Sequence, residues 1–323
     1  MGGIAWNAGS GGSFGGTELM GRELERRLPA DLLDRFQIHI TPLTAAEPGK
    51  IQILWCHIDH GAPEYAQLSS GGWQKFQRIV FVSNWQAQGF IDHFGIPWSR
   101  CLVMPNAIKP LAVGDDRFDP LPADLPIRLV YTSVPNRGLI ILHTVFREIC
   151  RERDDVELDV FSSFKLYGWD MEYERLFDAL RQNPRASYHG AVPNQQLRSA
   201  LASSHVLAYP AILRETSSLS LMEAMSAGLA CVHPNYGGLY ETAANWTSMY
   251  QWQDELPTHA TVFYEALMAF INALREGNKM LLSRLTAQKA YADMHYNWDI
   301  RGAHWEAFLR SIAHFPPETD EPP

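Results

Sequence analysis

Long apolar runs are missing from this chain: no stretch reaches the ~18 consecutive apolar residues that a membrane-spanning helix needs. The opening residues, MGGIAWNAGSGGSFGG, have neither a basic n-region nor an apolar h-region, so no signal peptide is expected. Positive charge is in deficit. The 27 basic residues face 36 acidic ones for a net charge of −9, which argues against general binding to a nucleic-acid backbone but leaves room for a local basic pocket. Cysteine is scarce: Cys56, Cys101, Cys150 and Cys231 are scattered, each in or near an apolar run and none in a CxxC pair. Reduced core thiols in a cytoplasmic protein are expected from that pattern. Metal-ligand clusters are also lacking, because His57 and His60 have no third ligand at helical or turn spacing; no metal and no bound cofactor is expected. Contact with the inner face of a membrane stays open, since lipids can be met at a surface without a span.

What is present describes a globular α/β protein. Of the 323 residues 46% are hydrophobic and 20% charged, enough for two domains with their own cores. Short apolar runs alternate with amphipathic stretches, the pattern of parallel βαβ units. Strands are expected at Ile4–Trp6, Phe36–Thr41, Ile51–Cys56, Ile79–Val82 and Cys101–Met104, with helices at Thr17–Leu28 and Trp85–Phe94. Residues 110–126 carry four prolines and an acidic cluster without apolar periodicity, and read as a connection. Beyond it the alternation restarts at Arg128 and runs to Ala230–His233, followed by a helical tail from about Thr258 to His314. The expected organisation is an N-terminal Rossmann-like domain over residues 1–112, a linker over 113–126 and a C-terminal Rossmann-like domain over 127–295. A last helix near 296–314 packs back on the first domain.

The most informative stretch is Val206–Glu241, VLAYPAILRETSSLSLMEAMSAGLACVHPNYGGLYE. A buried strand leads into a loop holding Arg214 and Glu215, then into a helix that starts near Ser217–Leu219 and carries Glu223. Serines at a helix start leave backbone N–H groups aimed at an anion, a geometry suited to a diphosphate. A carboxylate inside such a helix can accept hydrogen bonds from the vicinal diol of a ribose. Neutral alternatives stand beside each reading. Glu223 can be a helix-surface acid, Glu215 a loop acid paired with Arg214, and Arg137 a simple cap or salt-bridge partner. His57 competes with His60 and Asp59, and the glycine-rich GSGGSFGG can be a flexible stretch.

Two glutamates separated by seven residues, followed by E-A-M-x-A-G and G-G-x-x-E, resemble the retaining GT-B glycosyltransferases of family four. IVFVSNW (residues 79–85), VMPNAI (103–108), YTSVPNRGL (131–139) and HGAV (189–192) fall in the order that family uses. The resemblance implies two Rossmann-like domains facing across a cleft. It implies that Glu223 holds the ribose hydroxyls and that Glu215 orients the donor sugar. Thr216, Ser217, Ser218 and Leu219 would offer backbone donors to the diphosphate, Arg137 before Gly138 would neutralise it, and Val192 would meet the nucleobase. His57 would face the cleft, and Gly11, Gly12, Gly15 and Gly16 would form the glycine loop between donor and acceptor.

The implied activity is retaining, metal-independent transfer of a hexosyl group from a nucleoside-diphosphate sugar, the donor substrate, to a hydroxyl acceptor on a glycan, a lipid-linked sugar or a small molecule, as in polysaccharide biosynthesis. One feature departs from the family. Where it often has a second basic residue ahead of the Arg137 position, this chain has Tyr131, Thr132 and Ser133, leaving Lys165 or Arg214 as substitutes. Two rivals stay open: a nucleotide-sugar epimerase or hydrolase, which would share the donor site without a sugar acceptor, and a non-catalytic nucleotide-sugar-binding protein, which that gap supports.

Overall fold

The computed structural model describes residues 3–5, 15–40, 45–164 and 173–314. Gly11, Gly12 and Lys165 lie outside the described residues. By contacts the chain divides into two compact units. One comprises Met1–Ala107, Glu215–Ser217 and Tyr296–Pro323, the other Ile108–Arg214 and Ser218–His295.

The first unit is built on a five-stranded parallel sheet in sequence order: β1 (Gly3–Ala5), β2 (Phe36–Ile40), β3 (Ile51–Cys56), β4 (Arg78–Phe81) and β5 (Cys101–Val103). Helices α1 (Gly16–Arg27) and α2 (Ala30–Leu33) cross from β1 to β2 and α3 (Asn84–Phe94) from β4 to β5, while 3-10 turns over Pro63–Lys75 lie between β3 and β4. β2 is buried at every position, so its polar residues need partners within the fold. His39 meets Gln52 Oε1 at 2.7 Å through Nε2, and Gln37 donates to the carbonyl of Ala45 and accepts from the N–H of Glu47. α3 starts at Ser83, whose hydroxyl accepts from the N–H of Gln86, and stops at Gly95 in the left-handed region. Leu54, Phe81, Tyr65 and Phe90 pack together in the core beneath it.

The second unit has six parallel strands in the order β11-β10-β9-β6-β7-β8. They are β6 (Ile127–Tyr131), β7 (Val156–Val160), β8 (Ala186–Tyr188), β9 (Val206–Ala208), β10 (Ala230–Pro234) and β11 (Ser248–Tyr250). Helices α4 (Leu139–Glu152), α5 (Glu174–Gln182), α6 (Asn194–Ser203), α7 (Leu219–Ser226) and α8 (Leu239–Ala243) separate them. Two long helices, α9 (Leu256–Arg275) and α10 (Lys279–His295), complete the unit. The chain moves outward from β6 to β8, returns to β9 beside β6, and proceeds the other way. That reversal makes the carboxyl ends of β6 and β9 a topological switch point, where open α/β sheets bind their ligands. Residues 113–126, read as a connection, are packed on this unit. Arg117 donates to the carbonyl of Ser204 at 2.5 Å, and Arg275 donates to Pro122 and Leu125 at 3.0 and 2.9 Å.

The last helix, α11 (Trp298–Ile312), belongs to the first unit, where it meets α1. Its Trp305 is fully buried with its ring 4.8 Å from that of Trp55 on β3. Among the described residues no helix is long and apolar enough to cross a membrane. Replacing a buried tryptophan by alanine removes its transfer energy and leaves a cavity. Trp305→Ala is therefore expected to destabilise the first unit by about 3–5 kcal/mol, read as a lowered denaturant midpoint in urea unfolding.

Candidate functional site

At the switch point of the second sheet the two neighbouring loops approach as closely as backbone permits. β6 is followed by the turn Pro135–Arg137 and by Gly138, whose φ is +109°. A Cβ on Gly138 would lie 2.0 Å from the carbonyl oxygen of Pro210, just past β9. Glycine satisfies both demands, a left-handed φ and no side chain. Arg137 is thereby held at the carboxyl end of the central strands.

The other side of this crevice is the start of α7. Ser218 caps the helix, its hydroxyl accepting from the N–H of Leu221 at 3.4 Å. Ser220 donates its hydroxyl proton to the carbonyl of Thr132 at 2.7 Å, tying the helix to the end of β6. The first N–H groups of a helix have no intrahelical acceptor and face outward with the positive end of the dipole. Glu223 follows on the next turn. Its side chain is 15% exposed, so the carboxyl lies against protein while keeping an edge open to solvent.

Two residues that sequence reasoning passed over complete the surroundings of Glu223. Arg198 on α6 brings Nη1 to 3.6 Å from Glu223 Oε1, and the side chain of Asn194 hydrogen-bonds the same carboxyl. They are four apart on α6, hence on one helix face. That spacing was legible; which neighbour the face meets was not. Burial pushes the Glu223 carboxyl up to about 7 from its ordinary 4.5, against the opposing pull of Arg198 and Asn194. Val192 is half-buried in the loop that leads into α6.

The remaining predicted residues fall in the first unit. Glu215 is buried at 6% exposure, not a solvated loop acid. Thr216 donates its hydroxyl proton to the carbonyl of His57 at 2.7 Å, and the carbonyl of Ser217 accepts from the Asn106 amide at 3.1 Å. His57 is buried, with its ring 4.4 Å from that of Trp55. Its Nε2 is buried with no hydrogen-bond partner among the described residues. Burial pushes its imidazole down to about 3, so the ring is neutral at physiological pH. Gly15 precedes α1, and Gly16 is its first residue. The contacts thus group Glu215, Thr216, Ser217 and His57 in one unit and Arg137, Val192, Ser218, Leu219 and Glu223 in the other. A separate cavity of about 440 Å³ lies at the amino ends of the second unit's strands, lined by Arg117, His205, Gly228 and several leucines.

Residues 127–258 match the family model described as glycosyl transferases group 1. The GPI3 subunit of phosphatidylinositol N-acetylglucosaminyltransferase from Saccharomyces cerevisiae is 24% identical over 204 residues, 61% of this chain and 43% of that protein. The chain therefore spans under half the length of this curated relative. Among solved structures, sucrose-phosphate synthase from Thermosynechococcus elongatus matches with a TM-score of 0.67 at 14% identity, over 86% of this chain and 73% of that one. HepE from Anabaena, in complex with UDP and glucose, matches with a TM-score of 0.64 at 12% identity, over 92% and 83%. The fold is that of two parallel-sheet α/β units with GT-B glycosyltransferase neighbours, and the second unit carries the group 1 match.

Proposed function

We propose that this chain is a retaining glycosyltransferase that moves a hexosyl group from a nucleoside-diphosphate sugar to a hydroxyl acceptor. The observation that carries the reading is the largely buried Glu223 on the second turn of α7, at the switch point of a parallel sheet. The start of α7 and Arg137 would hold the diphosphate, Glu223 would accept from the ribose hydroxyls, and Val192 would meet the base. Glu215 would orient the donor sugar. Neutral His57, with an unpartnered ring nitrogen, is suited to a hydrogen bond with a sugar hydroxyl.

In the reaction the bond from the anomeric carbon to the diphosphate oxygen breaks as the acceptor oxygen bonds to the same face of that carbon. The acceptor proton passes to a diphosphate oxygen. Negative charge grows on the leaving group, where preorganised N–H dipoles and a guanidinium stabilise it without a metal. The names of two relatives supply substrates to begin with. The yeast protein is named for N-acetylglucosaminyl transfer to phosphatidylinositol, and HepE was solved with UDP and glucose. A uridine-diphosphate hexose or N-acetylhexosamine and a lipid-linked acceptor met at the cytoplasmic face of a membrane are the first pair to try.

A thermal-shift panel of UDP, GDP and ADP tests the donor site. A nucleotide at one hundred times its Kd adds about 2.7 kcal/mol of stability, a readable rise in Tm. One base should stand out in the wild type, and Glu223→Ala should lose the response. A wild type indifferent to all three sinks the reading, and free sugar as the sole product would replace transfer by hydrolysis.

The raised carboxyl of Glu223 also predicts a pH-dependent cost. An unfolded glutamate ionises near 4.5 and the folded one near 7. Stability is therefore lost as pH rises from 4.5 through 7, by about 3 kcal/mol at the limit. Denaturant unfolding at pH 5 and pH 8 should show Glu223→Gln gaining stability relative to wild type at the higher pH. An equal difference at both would contradict the shift.

A further inference from the structure

We propose that Arg198 is a positioning residue of the nucleotide site, fixing the Glu223 carboxylate in the orientation that receives the two ribose hydroxyls. The proposal rests on the reading of Glu223 as the ribose-binding group. Its own support is geometric. The guanidinium is divided between two tasks: Nη2 donates to the carbonyl of Pro110 at 2.8 Å, while Nη1 stands 3.6 Å from Glu223 Oε1. A planar fork with one arm anchored to main chain cannot turn away, so the other arm is held against the carboxylate. Both side chains are largely buried, 20% and 15% exposed.

The distance matters as much as the pairing. A bidentate clamp near 2.8 Å would occupy both carboxylate oxygens. At 3.6 Å the charge is balanced while lone pairs stay free for hydroxyl donors. Stability alone gives little reason for the pair, because buried ion pairs are poor stabilisers.

Among the described residues, no other element packed on α7 supplies this counter-charge. On α10, Lys289 pairs with Asp293 at 2.8 Å and donates to the carbonyl of Ser226, at the far end of the helix. On β10, burial pushes the His233 imidazole down to about 4, leaving it neutral. Glu241 on α8 is an acid. The Glu223 carboxylate takes its cation from Arg198.

The test is the affinity for UDP, or for whichever nucleoside diphosphate shifts the wild type, titrated calorimetrically from pH 6 to 9. Wild type, Arg198→Gln, Arg198→Lys and Glu223→Gln are compared. Wild-type affinity should rise through about pH 7 and level off, following ionisation of Glu223. Arg198→Gln should move the rise upward by about one pH unit, weakening binding at pH 7 about fivefold. Arg198→Lys, which keeps the charge but not the fork, should restore the midpoint of the profile without full affinity. An Arg198→Gln profile that overlays wild type overturns the proposal, even if its Tm falls, because a merely structural arginine would lower Tm and leave the profile in place. Undiminished binding by Glu223→Gln would instead overturn the ribose reading on which this one rests.

Discussion

Between the turn after β6 and the residue after β9 there is space for backbone and nothing more. A Cβ on Gly138 would come within 2.0 Å of the Pro210 carbonyl oxygen, and its φ of +109° is one that side chains avoid. The approach has consequences on both sides. It brings the Arg137 turn to the end of the central strands, and it lets α7 begin where Ser220 can reach the Thr132 carbonyl. The strand order supplies the crevice, because the chain reverses direction between β6 and β9. Glycine supplies the tolerance that lets the crevice be narrow. A dipeptide that in the sequence is a cation before a glycine is, in the fold, a constraint that locates the cation.

Burying a carboxyl on α7 works against stability. Its neighbours Leu221, Met222, Ala224 and Met225 are fully buried, and the group is pushed up to about 7 because water is partly excluded. A protein under selection for stability alone would place leucine or methionine there. The acid persists in a setting that opposes its charge, a mark of functional groups. Asn194 and Arg198 moderate the penalty without removing it. His57 shows the same tension in the first unit: its imidazole is desolvated, and one ring nitrogen has no hydrogen-bond partner among the described residues.

Legibility in the sequence followed the range of the interaction. Local periodicity placed β3 at Ile51–Cys56 and α3 within a residue of Asn84–Phe94, and placed α1 and the other strands of the first unit within a residue or two. β11 at Ser248–Tyr250 escaped because three residues amid Trp246, Thr247 and Gln251 carry no alternation to read. The segment 110–126 looked like a connection because prolines hide periodicity, yet its carbonyls are held by Arg275 on α9, a contact some 150 residues away in the chain. Glu215 was legible as a motif residue but not as a buried one, since loop composition says nothing of what covers a loop. Arg198 was visible as a helix residue with no motif to mark it. Its relation to Glu223 exists only after α6 and α7 pack.

The charge balance at the switch point ties these residues together. A nucleoside diphosphate brings negative charge to a place where the protein has put a carboxylate. Where the resembled family often has a second cation, this chain has Tyr131, Thr132 and Ser133. With Glu223 ionised and alone, the site would repel the ligand that its hydroxyl-binding geometry is meant to receive. Arg198 stands against that charge from the α6 side, so in the proposed site the field met by an entering diphosphate would be set by Arg137 and the start of α7. A cation on α6 cannot touch the leaving oxygens as one at the end of β6 could. It can offset the Glu223 charge before the ligand arrives, so that in the proposed reaction Arg137 would act on the charge that develops on the leaving group.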